Sequence, residues 1–180
     1  MAEEKDKIML FGCLALGIIA GSITCAVYGS EKNWSGTVES FCASPESTAV
    51  SITAVTIGFI AISFICGLLG ILRLLIYPAV CFRGMGLGAL TCGILSASGT
   101  MGLCFAALVT LPYAVINCAL TVYAGEFFLG IHRSFTQKNT GLTKGLILHT
   151  IKIFTIYLLI AAASCALFVA SCYIFGKYLL

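Results

Sequence analysis

Charge is what this sequence has least of: ten basic and seven acidic residues in 180, so that 9% of the chain is charged. An average soluble domain carries about 25%. Proline occurs three times, tryptophan once and histidine twice. So few charges cannot cover a solvated surface, and ten scattered Lys and Arg cannot build the basic face that a nucleic acid requires. Catalytic and cofactor signatures are missing as well. There is no G-x-S-x-G, no H-E-x-x-H and no P-loop, so the sequence displays no nucleophile elbow, zinc protease helix or phosphate cradle. The spacing G-x-G-x-A in FRGMGLGAL lacks the soluble βαβ unit that a dinucleotide fold needs around it. We therefore expect no enzyme, no cofactor and no nucleic-acid partner.

The largest absence is local. Arg83 and Glu126 enclose 42 residues, 84–125, without one charge. Roughly 20 helical residues cross the hydrocarbon core of a bilayer, so this run is too long for one crossing and is expected to be a helical hairpin. The small, polar stretch Ser96 to Thr100 supplies its turn. With 60% of residues apolar, the solvent is lipid. The expected fold is all-α, a polytopic transmembrane helical bundle of about five crossings in a single membrane domain, 1–180.

The first crossing is read over residues 8–28, retained because no small-residue cleavage box stands where a signal peptide would carry one. Its Gly12, Gly17, Ala20 and Gly21 give small-residue faces on which a neighbour can approach closely. An outer loop over 29–48 follows, with Glu31, Glu39 and Glu46 against one Lys32, and with Trp34 and Phe41 as interfacial anchors. Asn33-Trp34-Ser35 matches the glycosylation acceptor pattern, which has meaning only in a eukaryotic secretory setting. The second crossing, 49–70, is helical despite its Ile and Thr, because lipid offers no partner for an open strand edge. Arg73 marks a surface, and Pro78 suits the first turn of the next helix.

The third crossing, 79–97, places Arg83 about one turn inside, close enough to snorkel to the headgroups. Gly84, Gly86, Gly88 and Gly93 crowd this helix and are expected to serve close packing. The fourth, 101–130, contains Pro112, which removes a backbone hydrogen bond and clashes with the carbonyl of Leu108, so a break or kink is expected there. Asn117 lies five residues on and is placed to satisfy freed backbone groups or to bond across helices. A broken helix with a mid-depth polar residue also has the form of a transporter site. Glu126 closes the run. A charge in lipid is costly alone, so Arg83 and Glu126 are expected to pair across the hairpin.

The inner basic loop, 131–145, carries His132, Arg133, Lys138 and Lys144 and no acid, and the last helix covers 142–176. Five crossings put Lys5, Lys7, Arg73, Arg83, Arg133, Lys138, Lys144 and Lys152 on one side, with only Lys32 and Lys177 on the other. The positive-inside rule then sets the N-terminus inside and the C-terminus outside. His132 and His149 have no carboxylate partners in sequence, and nine of the ten cysteines fall in or beside helices, without a CxxC. The cysteines read as packing residues and the histidines as solvated side chains facing phospholipid, and no metal site is expected.

Taken together, the order of features resembles the stage II sporulation protein M family of small integral membrane proteins. The resemblance is carried by the first helix and outer loop, Arg83-Gly84 with Gly88 opening a glycine-rich helix, LVTLPYAVINCAL with its Leu-Pro break, and HRSF before a long last helix. It covers nearly the whole chain, but Glu126 and the cysteines lie outside it. What it implies is a non-enzymatic scaffold in a bacterial cell membrane. During sporulation the founding member of that family works with the peptidoglycan-degrading proteins D and P of the same stage. Such a scaffold would recruit cell-wall hydrolases through its outer loop, with possible self-association through the small-residue helix faces. The alternative of a different class is a small transporter or permease component with its path at Pro112, Asn117 and the Gly84 to Gly93 face.

Overall fold

In the computed structural model we describe residues 2–28, 43–68, 74–97, 99–138 and 144–178. Every regular element among them is helical. Helix α1 is Ala2–Tyr28, α2 is Pro45–Leu68, α3 is Ile76–Ala97 and α4 is Gly99–Phe105. A π-helical turn, Ala106–Thr110, joins α4 to α5, Leu111–Lys138, and α6 is Lys144–Tyr178. Among the described residues four stretches are long and apolar enough to cross a membrane: Glu4–Tyr28, Ile76–Ser96, Gly102–Ile131 and Leu148–Lys177. Within α2 the apolar part is shorter, Thr53–Cys66. The protein is thus an all-helical membrane protein. The turn expected at Ser96 to Thr100 falls where α3 gives way to α4.

The feature around Pro112 takes a specific form. The proline is the second residue of α5 and cannot donate a backbone hydrogen bond. Just ahead of it the Leu111 N–H reaches back five residues to the Ala106 carbonyl, which defines the π turn. One extra residue is accommodated in that wider turn. The helical path continues through this widened turn, so Gly102–Ile131 remains one continuous helical span of 30 residues.

Two apolar clusters hold the helices together. One is built from Leu10, Leu14, Ile60, Ile76, Val80 and Phe128, the other from Leu87, Ile94, Phe105, Val109, Phe168 and Phe175. Along α3, Val80 belongs to the first and Leu87 to the second; along α5, Leu120 belongs to the first and Tyr113 to the second. Arg83 and Asn117 therefore occupy a layer between the clusters. Aromatic contacts tie α2, α5 and α6 at the first cluster, with Phe64 at 4.6 Å from Phe154 and 5.8 Å from Phe128 between ring centroids.

The closest packing joins α1 to α3. A Cβ built on Gly17 or Gly21 would collide with the backbone of Cys81 or Met85, and one on Gly88 with the backbone of Ile18. On Gly84 it would stand 2.5 Å from the Leu14 carbonyl oxygen. Contacting positions rise in number together, so the two helices run parallel. Both carry the spacing G-x-x-x-G, at 17 and 21 and at 84 and 88. That spacing puts two hydrogens on one helix face where side chains would stand, and lets backbones meet. Ser22 adds a hydrogen bond from Oγ to the Gly88 carbonyl at 3.3 Å.

Candidate functional site

The polar layer centres on Arg83, which is 8% exposed. As the eighth residue of α3 it starts about 10 Å along the helix, at 1.5 Å per residue. Its side chain does not snorkel to the surface. Instead Nη2 donates to Thr56 Oγ1 at 2.6 Å, to Asn117 Oδ1 at 2.9 Å and to Tyr113 Oη at 3.3 Å. Thr56 lies halfway along α2, and Asn117 halfway along the Gly102–Ile131 span. One guanidinium thus links α2, α3 and α5 at mid-depth.

Asn117 is fully enclosed and uses both ends of its amide. While Oδ1 accepts from Arg83, Nδ2 donates to the Tyr113 carbonyl at 3.0 Å, and the Asn117 carbonyl accepts from Thr121 Oγ1 at 2.7 Å. This fixes the amide orientation, because only the oxygen can face the cation. Tyr113, one residue past Pro112, is set by its ring against Phe168 at 5.0 Å.

All three partners of Arg83 are neutral. No carboxylate among the described residues lies within ion-pair distance of it, and its buried Nε–H has no acceptor. The expected pairing of Arg83 with Glu126 is not formed. Glu126 Oε2 lies 3.3 Å from Lys7 Nζ, which also stands 4.9 Å from the centre of the Tyr123 ring. Helix geometry explains the correction. Glu126 is nine residues beyond Asn117 on α5, about 13 Å along the axis, so a guanidinium bonded to Asn117 cannot also reach Glu126. The carboxylate meets α1 instead, near the end of the bundle.

Beside Arg83 an open cavity of about 440 Å³ separates α2 from α3. Its walls are Val55, Phe59, Ile62, Ala79 and Phe82, with Gly58 and Gly86 leaving room on opposite sides, and Arg83 is the only charged wall residue among the described residues. A second space of about 250 Å³ lies between Leu108, Pro112, Tyr113 and Leu167, beside the π turn. A volume of 440 Å³ lies within the range of about 300–1,000 Å³ usual for small-ligand pockets.

The remaining expected residues are distributed as follows. Gly84 and Gly88 face α1, whereas Gly86 is exposed with nothing within 4 Å of a built Cβ. Gly93 lies in the C-terminal part of α3. The nine cysteines among the described residues are free, and no group of three or more metal-ligating side chains occurs among those residues. His149 is exposed, its ring 6.5 Å from that of Phe127. Residues 29–42, which make up most of the outer loop, lie outside the described residues, as do Arg73 and 139–143 of the basic loop.

Sequence reading missed Thr56 and Tyr113. Nothing local marks Thr56 among the Thr and Ser of its helix. Tyr113 had one available signal, a hydroxyl directly after the expected break. No family model, curated protein or solved structure matches the chain, so its resemblance to stage II sporulation protein M rests on the residues quoted above.

Proposed function

We propose that this membrane protein binds an anion at Arg83, and that it is the small transporter or permease component of the two readings rather than an enzyme. One observation carries this reading: a buried guanidinium with three neutral partners, an unused Nε–H and a cavity at its side. An arginine at the centre of a membrane helix costs about 2.5–3.5 kcal/mol on insertion scales. Interhelical hydrogen bonds in membranes return about 0.6 kcal/mol each, so three neutral partners leave the charge unbalanced. An anion completes the balance. The π turn and Pro112 next to Tyr113 supply a helix segment whose hydrogen bonding can change without unfolding the span.

In this reading α2 also crosses, giving five crossings in the cell membrane with the N-terminus inside. With Arg83 left out because it is buried inside the bundle, the seven-to-two distribution of Lys and Arg supports that orientation. The test is thermal unfolding of the purified chain in detergent against chloride, phosphate, acetate and oleate. At least one anion raises the melting temperature by several degrees in the native chain and not in R83Q, by mass action on the folded state. Equal response of the two proteins to every anion removes the reading.

A second reading, the scaffold for peptidoglycan-remodelling partners, is favoured by the α1–α3 seam, where backbone against backbone makes a rigid unit. Cross-linking from native membranes separates the two: recovery of a wall hydrolase supports the scaffold.

A further inference from the structure

Resting on the anion reading, we infer that the ligand is a single-chain carboxylate lipid of the fatty-acid class, which enters sideways from the bilayer between α2 and α3. The mouth of the cavity is lipid-facing, since Phe82 is 75% exposed, Val55 57% and Ile62 53%. Apart from Arg83 the walls offer, among the described residues, apolar side chains and glycines only. An occupant must therefore be apolar along its body and anionic at one tip.

Gly58 on α2 and Gly86 on α3 hold this space open. A Cβ on either meets nothing within 4 Å, in contrast with the collisions at Gly84 and Gly88 on the same helix. The tip must be monovalent, because Arg83 is the one charged residue among the described walls, whereas a phosphate monoester carries about −1.5 to −2 charges. It must also lie well below the headgroups, since Arg83 begins about 10 Å into its helix and its bonds lie at the helix midpoints. The phosphodiester of a two-chain lipid sits at the interface. A carboxylate ending a single chain meets both conditions and suits the planar donor geometry of a guanidinium. The Arg83 Nε–H is sealed from solvent and has no acceptor among the described residues, so the ligand reaches it only with a small turn of the side chain.

The full chain in phosphatidylcholine nanodiscs, titrated with labelled oleate at a pH where it is ionised, tests this. Oleate binds, and oleyl alcohol and acetate compete at least ten-fold more weakly. R83Q weakens oleate at least ten-fold. G86L does the same by occupying the tail channel while leaving Arg83 and its partners in place; it folds because the added side chain enters open space, so a folding failure of R83Q does not remove the test. Competition by oleyl alcohol equal to oleate overturns the inference by showing that the charge is unused. Acetate as strong as oleate overturns it while leaving the anion reading intact. Displacement by phosphatidylglycerol at parity assigns the site to a phosphodiester lipid and also overturns it. No response to any anion ends both readings.

Discussion

The two faces of α3 use the same residue for opposite purposes. Gly84 and Gly88 stand one turn apart against α1, where any side chain would collide with backbone; Gly86, about 200° around the helix, opens onto the cavity beside α2. On the first face the missing Cβ lets atoms touch. On the second it keeps them apart. The difference shows that a glycine count carries no sign by itself: the neighbour decides whether the absent side chain makes a contact or a vacancy. Arg83 lies next in sequence to the sealed face, yet its side chain bonds to α2 and α5.

This contrast can be broken first at the seam. G21L or G88L drives a side chain into backbone that cannot move aside, and we expect a loss of about 3 kcal/mol or more, the upper end of overpacking costs. Unfolding in detergent measures it. A variant as stable as the native chain would remove the seam from the account.

Next in size is the removal of the charge. R83M replaces the buried cation by an apolar side chain of similar length. It removes the insertion cost of the charge but leaves the enclosed Asn117 Oδ1 without its donor, a loss of about 1–3 kcal/mol, so the variant is expected to be less stable by up to about 2 kcal/mol. It also loses the response to anions. An anion response kept in R83M would remove Arg83 as the ligand site.

A smaller effect belongs to Lys7 and Glu126. The Lys7 side chain is 38% exposed and that of Glu126 19%, so water screens the pair. A double-mutant cycle with K7M and E126Q is expected to give about 1 kcal/mol or less, shrinking with added salt. A coupling of several kcal/mol would show that this end of the bundle is sealed from water.

Smallest is G86A. With open space around it, alanine gains helix propensity and should raise stability by up to about 1 kcal/mol, while G88A, two residues away, lowers it. Thermal melting of the pair gives opposite signs if the faces differ as described. The same sign at both positions would erase the distinction.

Particular residues mark where the sequence was legible. Helices expected at 8–28 and 79–97 appear as Ala2–Tyr28 and Ile76–Ala97, because long apolar runs bounded by charge leave the backbone no alternative in lipid. The π turn before Pro112 was legible as an interruption, though not in form. Arg83, Asn117 and Pro112 stood out as polar or irregular in an apolar run. Their partners did not. The expectation that Arg83 pairs with Glu126 treated charge as the only currency, whereas distance along α5 governs which groups can meet.

By itself the sequence determined a helical membrane protein, the approximate helix limits and the places where polarity and glycine interrupt apolar segments. These follow from hydrogen bonding and transfer to lipid, which act on each segment alone. The tertiary structure decided which glycines seal and which open, that Thr56, Tyr113 and Asn117 meet one guanidinium, and that no carboxylate among the described residues pairs with it. Those outcomes depend on how helices distant in sequence are rotated against one another, and a single helix carries no record of the face its neighbour will choose.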